Sequence, residues 1–163
     1  MHPPTDTIGW TAQVIANLKF SKPLLKVGCK KVEVLELRKL LAHWNIDVDT
    51  VSDVFDNQLE SAVKTFQRRV FLKEDGIVDA FTWQALYRGA PVDMPEIKRG
   101  CSGEAVKLLQ SALKSTGAFP MDVDGKFGSL TEMSVRNFQR RQGLVADGIV
   151  GACTWRALSR IPR

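Results

Sequence analysis

The chain repeats itself. Lys26-Val-Gly-Cys29 returns 72 residues later as Lys98-Arg-Gly-Cys101. The same shift lays Phe66-Gln-Arg-Arg69 on Phe138-Gln-Arg-Arg141 and Asp75-Gly-Ile-Val78 on Asp147-Gly-Ile-Val150. It also lays Thr82-Trp-Gln-Ala-Leu86 on Thr154-Trp-Arg-Ala-Leu158. No gap is needed from Lys26 to Leu86, and about 24 of the 61 aligned pairs are identical. The 163 residues therefore divide into two units of roughly 60 residues, each with room for a minimal core only. The boundaries read as an N-terminal arm over 1–24, a first repeat over 25–86, a linker over 87–96 and a second repeat over 97–163. One glycine and two prolines make the linker short and fairly stiff. In the arm, Trp10, Val14, Ile15 and Leu18 fall at helical spacing.

The second repeat carries the clearer punctuation. Ser102 reads as an N-cap before a stripe of Ala105, Val106, Leu109, Ala112 and Leu113, with Gly117 as the stop. Phe119 to Gly128 is rich in turn residues and predicts an ordered loop. Ser129-x-x-Glu132 then reads as a capping box for a helix that presents Met133, Val135 and Phe138 and ends at Gly143. Asn57-x-x-Glu60 stands at the same place in the first repeat. A second loop, Leu144 to Gly151, leads into a short helix with Thr154, Trp155 and Leu158. Three amphipathic helices can bury their stripes only against one another, so the expected fold is all-α: two tandem small three-helix bundles behind a helical arm. Phe66, Trp83, Phe138 and Trp155 are the expected structural core. Truncating either tryptophan to Ala is expected to cost about 3–5 kcal/mol.

Several function classes fall away on these residues. There is no run of about 18 apolar residues, which excludes a membrane-spanning helix and membrane insertion by one. The first ten residues place Pro3, Pro4 and Asp6 where an export signal needs basic residues and an apolar core, so no such signal is visible and a cytoplasmic location stays open. His2 and His43 have no partners at metal-ligand spacing; no metal and no cofactor is expected. No nucleophile with its base, and no pair of positioned carboxylates, stands out, so the chain reads as non-enzymatic. Three cysteines cannot close a disulfide framework, although a Cys101–Cys153 bond within one repeat stays open. Cys29 and Cys101 share a repeat position and read as small packed residues beside a helix start. Arg68-Arg69 and Arg140-Arg141 end a helix in each repeat, which suits its dipole. With the aromatic residues on core stripes, no nucleic-acid partner is expected. His43 and Trp44 read as the amphipathic tip of the first helix.

The ordered series Gly-Cys-Ser-Gly-Glu-Ala-Val-Lys-x-Leu-Gln, Val-Asp-Gly-Lys-Phe-Gly-x-x-Thr, Val-x-x-Phe-Gln and Gly-Leu-x-x-Asp-Gly-Ile-Val-Gly-x-x-Thr-Trp resembles the type-1 peptidoglycan-binding domain. The likeness covers essentially all of 97–158. The first repeat keeps Phe66-Gln67, Asp75-Gly-Ile-Val78 and Thr82-Trp83, but has Ser52, Asp53, Asp56 and Leu59 where the second has Asp124, Gly125, Gly128 and Thr131. The resemblance implies a three-helix fold and a non-catalytic role: tethering a protein, often a wall hydrolase, to bacterial peptidoglycan at the cell wall, in the periplasm or outside the cell.

The two loops of the second repeat mark the candidate ligand groove. Its residues are Asp122, Asp124, Gly125, Phe127, Gly128, Thr131, Gln139, Arg140, Asp147, Gly148, Ile149 and Gly151. Glycines there allow backbone amides to approach the carboxylates and acetamido groups of a muropeptide. Turn chemistry that merely closes the bundle explains any single Asp-Gly pair as well. Residues 26–86 carry nine basic and ten acidic side chains, net −1, and residues 98–158 carry nine and five, net +4. Because peptidoglycan stems carry free carboxylates, the second repeat is expected to be the primary binder. Two alternatives remain at this point: a protein-interaction module on the same fold, or the targeting half of a larger wall hydrolase.

Overall fold

The structure is a computed structural model and describes residues 22–163. The arm and its helical stripe, Trp10 included, lie outside the described residues. Two compact units meet between Val92 and Asp93. The first holds α1 (Val32–His43), α2 (Asn57–Arg69) and α3 (Ala80–Arg88); the second holds α4 (Glu104–Ser115), α5 (Ser129–Arg141) and α6 (Ala152–Ser159). The expected all-α class and the three-helix plan of each repeat are what the chain adopts.

Each unit is tied together by backbone pairs as well as by helix packing. Leu25 pairs antiparallel with Val78, and Ile97 with Val150, through reciprocal N–H···O bonds of 2.8–3.1 Å. Lys30 and Val54, and Ser102 and Lys126, make the second such bridge in their units. These pairs hold the segment before the first helix against both loops. The indole N–H groups fasten it further: Trp83 Nε1 donates to the Pro23 carbonyl and Trp155 Nε1 to that of Pro95, both at 2.8 Å.

The cores follow from the stripes. Val34, Leu37, Leu41, Leu59, Val63, Phe66, Val78 and Trp83 are buried in the first unit, and Val106, Leu109, Leu113, Val135, Phe138, Val150, Trp155 and Leu158 in the second. Trp44 is also buried, edge-on to Phe66 at 4.9 Å between ring centroids, while His43 is exposed. Arg69 is not a solvated dipole partner: it is buried, donates to the Trp44 carbonyl at 2.8 Å and lies over the Trp44 ring. Arg68 forks onto Glu74, which holds its guanidinium pKa above the ordinary value. The linker is partly absorbed: Tyr87 and Val92 are buried in the first core.

Helix starts differ from the expectation by one residue, later for α4 and earlier for α2 and α5. Ser102 does not cap; it pairs with Lys126, and Gly103, at φ 119°, is the N-cap of α4. Ser129 is the first helical residue of α5 behind an N-cap of Gly128, and no capping box forms. In the first unit Asp56, not Asn57, caps α2 by accepting from the Leu59 amide. The cause is upstream pairing. Phe127 accepts from Gly100 N–H and donates to the Cys101 carbonyl, so the extended chain ends there and α5 begins one residue sooner. Met133, expected on the core stripe, is 52% exposed, and Ala105 is only partly buried. The stops agree with the reading: Gly117 and Gly143 lie just past α4 and α5 at φ 76° and 70°.

Candidate functional site

A buried glutamine organises each loop of the second unit. Gln139 of α5 is 1% exposed; its Nε2 reaches Asp147 Oδ1 (3.1 Å), the Ile149 carbonyl (2.9 Å) and Thr154 Oγ1 (3.1 Å), and its Oε1 accepts from Gly148 N–H at 3.0 Å. Gln110 of α4 repeats this around the other loop, with Asp124 Oδ1, the Lys126 carbonyl and Thr131 Oγ1 near its Nε2, and the Asp124 and Gly125 amides on its Oε1. Gln67 does the same in the first unit with Asp75, Ile77, Thr82 and Gly76. A short polar side chain thus satisfies loop backbone groups that would otherwise be buried without partners.

The fourth equivalent place holds Arg38 instead. It is 1% exposed and donates to Asp49 Oδ2 (2.8 Å), to the Val54 carbonyl (2.7 Å) and to Asp56 Oδ2 (3.3 Å). The loop that departs from the family pattern is therefore closed by an ion-pair plug rather than an amide plug.

The Asp-Gly turns fit closely under a helix. Gly148 has φ 75°, and a Cβ there would stand 2.9 Å from Glu132 Cγ and 3.1 Å from Arg136 Nε. Glu132, expected to close a capping box, instead lies over this turn and pairs with Arg136 at 3.4 Å. The carboxyls of Asp124 and Asp147 are held below the usual range, chiefly by the amides of Lys126 and Ile149, with Gln110 and Gln139 adding to the effect.

Beside this scaffold lies a groove of about 450 Å³ within the second unit, of the size small ligands use. Gln139, Asp147, Ile149 and Gly151 line it, four of the twelve candidate residues. Leu144, Val145 and Ala152 give it an apolar wall, and Thr154 completes the floor. At its α6 end Gly151 occupies the N-cap and makes no side-chain cap. Gly143, Cys153 and Glu96 also line the groove.

The other eight candidates stand elsewhere. Gly148 is buried against Gln139; Asp124, Gly125 and Thr131 belong to the Gln110 cluster; Phe127 is 3% exposed in the core; and Gly128 is the N-cap of α5. Asp122 and Arg140 are exposed, the first 3.5 Å from Lys114 and the second donating to Asn137. None of the second repeat's basic side chains lines the groove, whose charged members are Glu96 and Asp147. Sequence reasoning missed Glu96 because it fell in the assigned linker, and Cys153 because Phe81, not a cysteine, stands at its place in the first repeat. All three cysteines are free, with Cys153 exposed. Among the described residues no group of three or more His, Cys, Asp or Glu is placed to hold a metal, and no helix is long and apolar enough to cross a membrane.

Comparison with known proteins agrees with the repeat. The chain is 36% identical over 149 residues to the N-acetylmuramoyl-L-alanine amidase CwlM of Mycobacterium tuberculosis, covering 82% of this chain and 37% of that protein. It is 52% identical over 58 residues to a spore cortex-lytic enzyme of Bacillus cereus, 36% of this chain and 22% of the other. The crystal structure of the SleB N-terminal domain is 47% identical, with a TM-score of 0.40, covering 40% of this chain and 90% of that one. The chain thus spans well under half the length of these two curated relatives. Residues 30–86 and 102–158 each match the family described as "Putative peptidoglycan binding domain", so the protein belongs to the peptidoglycan-binding domain family and carries two copies of its module.

Proposed function

We propose that the chain attaches to bacterial peptidoglycan, without catalysing a reaction on it, through the groove of its second unit. The observation that carries this reading is a ligand-sized groove set on the Gln139 plug of a module that matches the peptidoglycan-binding domain family. Its walls mix apolar side chains with loop backbone, which suits a short peptide joined to sugar. Relatives named as an amidase and a cortex-lytic enzyme are much longer than the stretch this chain matches. That supports a targeting role for the same modules at the cell wall, beside a catalytic part where one exists.

Co-sedimentation of the full chain with purified sacculi tests the function, with chitin and duplex DNA as controls. Retention on sacculi alone is expected, and deletion of 97–163 is expected to remove it. Absence of retention refutes the wall reading and favours a protein-interaction module; equal retention after the deletion refutes the assignment to the second unit.

A further inference from the structure

The 72-residue shift maps every residue of the groove onto the first unit. Of the eleven lining residues, six recur unchanged: Gln139, Leu144, Asp147, Ile149, Ala152 and Thr154 correspond to Gln67, Leu72, Asp75, Ile77, Ala80 and Thr82. The scaffold is therefore common to both units. The five that differ include one of its two acids, Glu96, and both of its glycines. Glu96, Gly143, Val145, Gly151 and Cys153 become Leu24, Phe71, Lys73, Asp79 and Phe81.

Four of these changes act in the same direction; the fifth, Val145 to Lys73, is at an exposed position in both units. Gly143 has φ 70°, and a Cβ there would meet nothing within 4 Å, so the space beside it is open. Phe71 holds nearly the same backbone conformation, φ 62°, and sets an aromatic ring at that place despite the strain a side chain meets in the left-handed region. Cys153 is a small exposed side chain on the first turn of α6; Phe81 at the same place is large and 47% exposed. Gly151 leaves the start of α6 without a side-chain cap, whereas the Asp79 carboxylate occupies the start of α3, accepting from the amide (2.9 Å) and hydroxyl (3.1 Å) of Thr82. The acids also alternate. Glu96 Oε2 lies 4.0 Å from the point where a Gly151 Cβ would stand, so Asp at 151 would crowd a second carboxylate against it; the first unit, with Asp79, has Leu24 opposite.

We infer that at this surface the two units have diverged in function, so that the chain carries a single muropeptide groove rather than two. Residues 96, 143, 151 and 153 decide which unit binds. The inference rests on the function proposed above and goes beyond it in fixing stoichiometry, determinants and ligand chemistry. With Glu96 and Asp147 as its charged lining and no Lys or Arg, the groove suits the donor-rich part of a stem peptide, its amide N–H groups or a free ammonium, rather than its terminal carboxylate. The first unit, with Phe71, Asp79 and Phe81 at the corresponding positions, serves as a folded spacer.

Two exchanges in the full chain test this. The first puts the first unit's residues into the second: Glu96→Leu, Gly143→Phe, Gly151→Asp and Cys153→Phe. The second does the reverse: Leu24→Glu, Phe71→Gly, Asp79→Gly and Phe81→Cys. Calorimetric titration uses soluble disaccharide-peptide muropeptides released from sacculi, and thermal melts confirm that each variant is folded. The wild type is expected to bind one muropeptide per chain; the first exchange should weaken binding at least about tenfold, and the second should bring the count to two. The single variant Cys153→Phe, at an exposed helical position, should weaken binding with an unchanged melt and guards against misfolding of the fuller exchange. Two sites in the wild type, or wild-type affinity in the folded first exchange or in Cys153→Phe, overturns the inference while leaving wall binding intact. If the wild type binds neither muropeptide nor sacculi, the functional reading falls and takes the inference with it.

Discussion

Replacing Gln139 by Leu keeps the size of the side chain and deletes the polar plug, which makes it the sharpest test of how the second unit is held together. Gln139 has three acceptors around its amide nitrogen and one N–H on its oxygen, all between 2.9 and 3.1 Å, at 1% exposure. The nitrogen has only two hydrogens, so the side chain makes about three effective bonds, each worth about 1 kcal/mol net. Leucine also strands the buried Gly148 amide, which adds about 1–3 kcal/mol. The expected loss is about 4–6 kcal/mol, a large share of what a domain of this size commands. For a unit this small each kcal/mol is worth about 4–8 °C, so its melting transition should fall by at least about 15 °C. Differential scanning calorimetry of the full chain reads this, and Gln67→Leu should produce a like fall in the transition of the first unit. A shift under about 4 °C for Gln139→Leu would show that water or loop rearrangement satisfies those groups, and would refute the plug as a stabilising device.

Two further outcomes follow from the same structure. Arg38→Ala should destabilise the first unit by about 2–4 kcal/mol, below the full cost of breaking a buried pair because Asp49 and Asp56 are 48% and 43% exposed and can be rehydrated; urea melts read it. Acid should loosen both units through their loop carboxylates. The pKa values of Asp49, Asp124 and Asp147 are lowered in the fold, first of all by backbone amides, so their contribution is present above the ordinary Asp value near 4 and is lost as pH falls through the lowered values. Melts at pH 7, 5 and 3 should show little change across the first interval and a clear fall across the second. Asp147→Asn should reduce that fall, and an unchanged profile would count against the linkage.

How much of this was legible in the sequence depends on the range of the interaction. The helices and their stops were, because stripe and glycine signals are local: Val106, Leu109 and Leu113 recur at helical spacing, and Gly143 follows α5 directly. Helix starts were not. Ser129 has every local mark of a cap, yet the pairing of Phe127 with Cys101, 26 residues away in sequence, sets the entry point. Gln139 was visible as part of a recurring Phe-Gln pair, but its role depends on a loop that returns to it 8–15 residues later. Asp-Gly pairs were legible as turns, and the alternative that they close the bundle describes Asp124 and Asp147 well, since each receives a loop amide and a glutamine. Net charge is an average over a surface and does not locate a groove, whose lining here has two carboxylates and no cation.

The bonds from Trp83 to Pro23 and from Trp155 to Pro95 have a practical meaning for anyone dissecting the chain. Each spans 60 positions and reaches upstream of the unit's first helix. The matched stretch of the second module opens at residue 102, and the first pairing residue is Ile97; a fragment begun at either point would leave the buried indole N–H facing a severed end. A cut at the Val92–Asp93 junction keeps Pro95 with its tryptophan and leaves Val92 in the core it fills. Domain shuffling that respects this seam should carry the module intact, whereas trimming to the recognisable motif would exchange a stable cassette for a fraying one.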